Sequence, residues 1–103
     1  MKETSFSTRE EPGLRVLIFQ GRLDSAGSEF IRPGLDAELA QLGAEDCLRF
    51  DLSGVDFVAS AFLRHCIRSA KEVGNERFEL TGLAPNVREV FEITGLTQYM
   101  KIL

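Results

Sequence analysis

Tryptophan is absent from the 103 residues, and tyrosine and histidine occur once each. The single histidine, His65, and the two cysteines, Cys47 and Cys66, cannot by themselves supply four zinc ligands. The cysteines form no CxxC pair, so a redox or zinc-ribbon motif is excluded as well. His65 neighbours Cys66 in sequence, but on a helix it points about 100° away, which rules out a Cys–His dyad. No acid–base constellation is visible, so no enzyme activity, metal or cofactor is expected. Basic residues are also short. Twelve Lys and Arg face sixteen Asp and Glu, a net charge of −4 at pH 7. The best basic cluster is Arg64, His65 and Arg68, diluted by apolar residues, so binding to a phosphate backbone is not expected. No apolar run approaches the roughly 18 residues of a membrane span, and no membrane insertion is expected. Residues 1–13 are polar and lack the apolar segment of a secretory leader. With no paired cysteines, a reduced, cytoplasmic protein is expected.

What is present suits a globular core. Apolar residues make up 44% of the chain and eight are Phe, which argues against disorder. A chain of 103 residues fits one domain, here 1–103, with 1–12 either an edge strand or a poorly ordered N-terminus. No repeat or Gly/Ser/Pro-rich linker divides it.

Leu14–Gln20 is a run of strand formers bounded by Pro12-Gly13 and Gly21. Thr4–Thr8 precedes it as an edge strand. Asp24 or Ser25 can cap the helix that follows, in which Phe30, Ile31, Leu35, Leu39 and Leu42 recur at helical spacing. Pro33-Gly34 interrupts that pattern and predicts a kink or two short helices. Cys47–Leu52 reads as a strand ended by Ser53-Gly54, and Asp51 and Asp56 read as turn residues flanking that glycine. Ser60–Val73 is the clearest helix. Phe62, Leu63, Cys66, Ile67, Ala70 and Val73 fill one arc of roughly 140°, with Arg64, Arg68, Lys71 and Glu72 outside it. Cys66 inside that arc reads as a buried, inert thiol. Arg77–Thr81 alternates as a third strand, Pro85 opens a helix that Gly95 ends, and Gln98–Leu103 is a short strand or tail. Alternating strands and helices predict an α/β, mostly parallel sheet with right-handed crossovers. Sites in such sheets lie beyond the carboxyl ends of the strands, which puts Asp24 and Ser60 on one rim.

Ser60 carries two readings. One is a helix N-cap, worth about 0.5–2 kcal/mol. The other is a phosphorylation site, where a phosphate adds roughly −1.5 to −2 charge at one surface point. A resemblance bears on the choice. Asp51–Leu63 resembles the central motif of the STAS domain family, the anti-sigma factor antagonists: a strand ending in D-L-S, an apolar pair, then D-S-[ST]-G-L opening a helix. Gly21-Arg22-Leu23-Asp24 resembles that family's G-E-L-D, and Leu83–Leu96 its closing signature. The resemblance spans residue 14 to the C-terminus and implies a four- or five-stranded mixed sheet with helices packed mainly on one side. It also implies a protein that binds an anti-sigma factor kinase, with Ser60 as the phosphorylated residue and Asp24 as the matching loop carboxylate.

The chain departs from the motif at three positions. Ala59 stands for the family Asp, Ala61 for the second hydroxyl residue and Phe62 for the Gly. Losing a carboxylate beside Ser60 eases repulsion with a phosphate. Phe62 lies at one edge of the apolar arc and is either core or an exposed anchor for a partner. The partner-binding face expected from the resemblance comprises Asp24, Ser60, Phe62 and Arg64. Two other readings stay open. The domain is a non-phosphorylated STAS interaction subunit of a transporter or signalling complex, or a small ligand- or nucleotide-binding domain, although no P-loop is present.

Overall fold

The computed structural model describes residues 4–103; the first three residues of the expected N-terminal segment lie outside it. Strands β1 (Ser5–Glu11) and β2 (Leu14–Leu23) form an antiparallel hairpin, with Glu11 opposite Leu14. Pro12-Gly13 makes the turn. Proline presets φ for its first central residue and Gly13 takes the positive φ of 72° that the second needs. The edge strand runs three residues further than the expected Thr4–Thr8, because alternate cross-strand pairing continues to the turn.

Helix α1 (Ser25–Gln41) follows as one continuous element of 17 residues. This corrects the expected kink or break at Pro33-Gly34. Pro33 and Glu29, whose carbonyl it leaves without an intrahelical donor, both lie on the exposed side of the helix. Gly34 makes room for β1, since a Cβ there would overlap the Phe6 ring.

Strand β3 (Cys47–Val58) has 12 residues and does not stop at Ser53-Gly54. It pairs in parallel with β2, and two register shifts insert extra β3 residues, one before Gly54 and one between Val55 and Phe57. The bulges explain the irregular spacing of inward residues: Leu48, Phe50 and Leu52, then Val55 and Val58. Asp51 and Asp56 are therefore strand residues, not turn residues. Asp51 accepts hydrogen bonds from the Ser53 amide (3.0 Å) and hydroxyl (2.6 Å).

Helix α2 (Ser60–Val73) occupies the expected range. A short 3-10 turn (Asn75–Arg77) leads into β4 (Phe78–Thr81). Helix α3 (Pro85–Ile93), a second 3-10 turn (Leu96–Gln98) and β5 (Lys101–Ile102) complete the chain. The sheet order is β1-β2-β3-β4-β5, antiparallel only between β1 and β2.

The helices pack on one face. Leu17, Phe19, Phe50, Leu52, Phe78 and Leu80 meet Ile31 and Leu35 of α1, Phe62 and Cys66 of α2, and Val87 and Phe91 of α3 in one cluster. The other face is polar along β3, β4 and β5. Arg49, Glu79 and Lys101 are cross-strand neighbours, with Arg49 Nε 2.5 Å from Glu79 Oε1.

Phe62 is fully buried, which removes it from the expected partner-binding face. Its ring lies 5.3 Å from that of Phe19 and 6.0 Å from that of Phe50, centroid to centroid. Three aromatic rings meeting at the sheet leave it no route to solvent. Phe62→Ala is expected to lower unfolding free energy by about 3–5 kcal/mol, measured by urea denaturation.

Candidate functional site

The ends of β2 and β3 place the first turns of α1 and α2 side by side. Leu23 pairs with Val58 in the sheet, and the next step is a hydrogen bond from the Ala59 amide to the Leu23 carbonyl, 2.9 Å. Asp24 follows Leu23 and Ser60 follows Ala59, so the two share the rim expected of them.

Asp24 is the N-cap of α1. Its Oδ1 accepts from the Gly27 amide at 2.8 Å, and its Oδ2 lies 3.5 Å from Arg22 Nε. The Arg22 guanidinium sits 4.1 Å above the Phe57 ring, a cation–π contact that holds it against β3. The glycine at position 27 is required by space. A Cβ there would strike the Arg22 carbonyl and approach the Thr4 hydroxyl to 2.9 Å.

Ser60 is the first residue of α2 and is exposed. It does not cap the helix, as one sequence reading held. The cap position is Ala59, with extended backbone (φ −106°, ψ 170°) and no side chain to accept a bond. The shift by one residue follows from the Ala59–Leu23 bond, which keeps residue 59 in the strand geometry. Ser60 therefore presents a hydroxyl at a helix start that has no side-chain cap.

Arg64 lies one turn further along α2, also exposed. It borders a groove of about 480 Å³ between α1 and α2, whose walls include Ser25, Arg32, Asp36, Ala61 and Arg68. Asp24, Ser60 and Arg64 thus lie around one end of the molecule, and Phe62 points the other way. The first turn of α3 is tied to the end of β3 nearby: Asn86 Nδ2 donates to the Asp56 carbonyl at 2.8 Å.

The sequence did not reveal the polar contacts that join the two helices. His65 Nε2 lies 3.2 Å from the Ser28 carbonyl, and its Nδ1 lies 3.1 Å from Arg68 Nη2. A carbonyl only accepts and a guanidinium only donates, so Nε2 carries the proton and the ring is neutral. Arg68 Nη1 reaches Asp36 Oδ1 at 2.5 Å. Burial pushes the His65 pKa down, and nearby Arg68 adds to this. The Ser28 carbonyl and Asp36 oppose it. The only readable signals were Arg32 with Asp36 and His65 with Arg68, each one turn apart on its own helix. Cys66 is buried and its thiol is pushed well up by desolvation, which makes it a poor nucleophile.

The comparisons with known proteins agree with this architecture. A family model described as the STAS domain matches residues 5–103. BtrV of Bordetella bronchiseptica, named as a putative anti-sigma factor antagonist, is 35% identical over 85 residues, covering 81% of this chain and 72% of that one. An anti-sigma factor antagonist from Mycobacterium paratuberculosis superposes with a TM-score of 0.86 at 22% identity, over 97% of this chain and 85% of that one. The Bacillus cell fate determinant SpoIIAA in its phosphorylated form superposes with a TM-score of 0.68 at 20% identity, over 96% and 91%. At these identities the two structures speak for the fold alone.

Two outcomes are expected from the site geometry. Gly27→Ala should lower the melting temperature, because the new methyl meets backbone and disturbs the Asp24 cap. The single histidine should also leave a mark on stability. Its folded pKa lies below the unfolded value near 6.5, so the unfolded chain takes up the proton first. Stability is then fully present above that unfolded value and declines as pH falls through the folded one. Urea midpoints measured across this range should show that slope in the wild type and lose it in His65→Gln.

Proposed function

The chain belongs to the STAS domain family and is anti-sigma factor antagonist-like; from that premise we propose that it binds an anti-sigma factor kinase through the rim that carries Asp24, Ser60 and Arg64. Phosphorylation of Ser60 ends the binding. The observation that carries this reading is the exposed Ser60 hydroxyl at the start of α2, beside the Asp24 cap. A phosphate there faces the positive end of the helix dipole and free amide donors. The phosphorylated form of SpoIIAA shows that a protein of this fold carries the modification.

The chemistry is a phosphoryl transfer in which this chain is the substrate. The Ser60 oxygen bonds to the terminal phosphorus of ATP, ADP leaves, and the hydroxyl proton passes to a base of the kinase. The chain contributes an accessible oxygen, and Ala59 removes a neighbouring carboxylate that would repel the product phosphate. The added charge of roughly −1.5 to −2 falls at the centre of the docking face and repels acidic or apolar partner surface. The protein is a binding module that toggles between two charge states, within one domain that works where ATP and its kinase are found.

The test is incubation with the anti-sigma kinase encoded nearest to this chain, with ATP, followed by intact mass and peptide mapping. One phosphate is expected, on Ser60, absent from Ser60→Ala. Ser60→Asp should weaken kinase binding in calorimetry while Ser60→Ala keeps it. A Ser60→Asp protein that binds as tightly as wild type overturns the switch. A complex that forms with no phosphate added instead identifies a constitutive interaction subunit.

A further inference from the structure

The cations around the α1–α2 groove are committed to partners, with one exception. Arg32 lies 3.2 Å from Glu29 and 3.9 Å from Asp36. Arg68 is held by Asp36 and His65. Arg22, at the rim, lies against Asp24 and the Phe57 ring. Arg64 pairs with no carboxylate among the described residues, although it borders the same groove. It is four residues after Ser60 on one continuous helix, and both side chains are exposed.

We infer that Arg64 is the internal partner of phosphorylated Ser60, closing onto the phosphate when the modification is made. This rests on Ser60 being the modified residue. Residues i and i+4 on a helix are neighbours, with Cβ atoms about 5–6 Å apart. Long side chains on a helix lean toward its N-terminus, which carries the Arg64 guanidinium toward residue 60. The order is the favourable one, an anion in the first turn and a cation one turn later. A guanidinium meets a phosphate through two parallel N–H donors, a geometry that a lysine lacks. Phosphorylation then does two things to the docking face. It adds charge at residue 60, and it takes up Arg64, a cation that an acidic group on the partner would otherwise meet. Ala61, between them, adds no competing polar group.

The experiment uses protein with phosphoserine genetically encoded at position 60, so no kinase enters the measurement. The second ionisation of the phosphate is followed by ³¹P NMR at about 0.15 M salt, where distant charges are screened within about 8 Å. In wild type its midpoint should lie lower than in Arg64→Gln, by about 0.2–0.4 units for an exposed pair of this spacing. Arg64→Lys should restore part of the difference. Arg68→Gln, whose arginine is committed to Asp36, should leave the midpoint at the wild-type value. Asp24 and the helix start act equally in all these proteins and cancel. Identical midpoints in wild type and Arg64→Gln overturn the inference, and so does an equal loss in Arg64→Gln and Arg68→Gln. A kinase that fails to modify Ser60 counts against the switch, whereas these midpoints alone decide the capture.

Discussion

Phe62 fixes the first turn of α2 to the sheet, and the geometry of the rim depends on that contact. Its ring meets Phe19 from β2 and Phe50 from β3, and Phe50 in turn packs edge-on against Phe78 of β4 at 4.8 Å. Each such pair is worth about 0.5–1.5 kcal/mol beyond the area it buries. The pairs tie α2 to three adjacent strands at once. Two residues before Phe62 on a helix is a rotation of about 200°, so burying Phe62 turns Ser60 to the outside. The exposure of the serine follows from the burial of the phenylalanine.

The same contact explains how this chain does without the motif residues around its serine. A Gly at position 62 would leave Leu63 as the buried side chain holding the first turn. Here the side chain anchors it, and the strand geometry of Ala59, bonded to Leu23, sets where the helix begins. Asp24 caps the neighbouring helix from the far side of that bond. Two helix starts are thus held by one backbone hydrogen bond between strand ends, one start with a carboxylate at its cap and the other without.

Much of this was legible in the sequence where periodicity and punctuation agree. The α2 range was readable because its apolar arc is unbroken and Gly74 follows it. The mixed sheet and the shared rim came from alternation of elements and a likeness of motif. Three features were hidden for physical reasons. The length of β3 was obscured by bulges, which change the inward period from two to three at Leu52, Val55 and Val58. The continuity of α1 through Pro33 depends on which side of the helix meets solvent, a tertiary fact. The side of the arc to which Phe62 belongs depends on the facing rings of Phe19 and Phe50. The His65 and Arg68 contacts to α1 likewise depend on how two helices lie together, which neither helix encodes alone.

The sheet ends in two unlike ways. At one border β5 is two residues long. At the other, β1 is seven residues long and carries Arg9, Glu10 and Glu11 toward its turn. A strand so short offers little template for another backbone, and charges along a border make an added strand costly. The protein therefore guards both of its borders against strand addition, by brevity on one and by charge on the other. Backbone zippering between sheets is hard to undo, and neither border of this sheet invites it. Side chains on helix ends and loops, Ser60 and Arg64 among them, are what the fold leaves accessible in place of free strand edges.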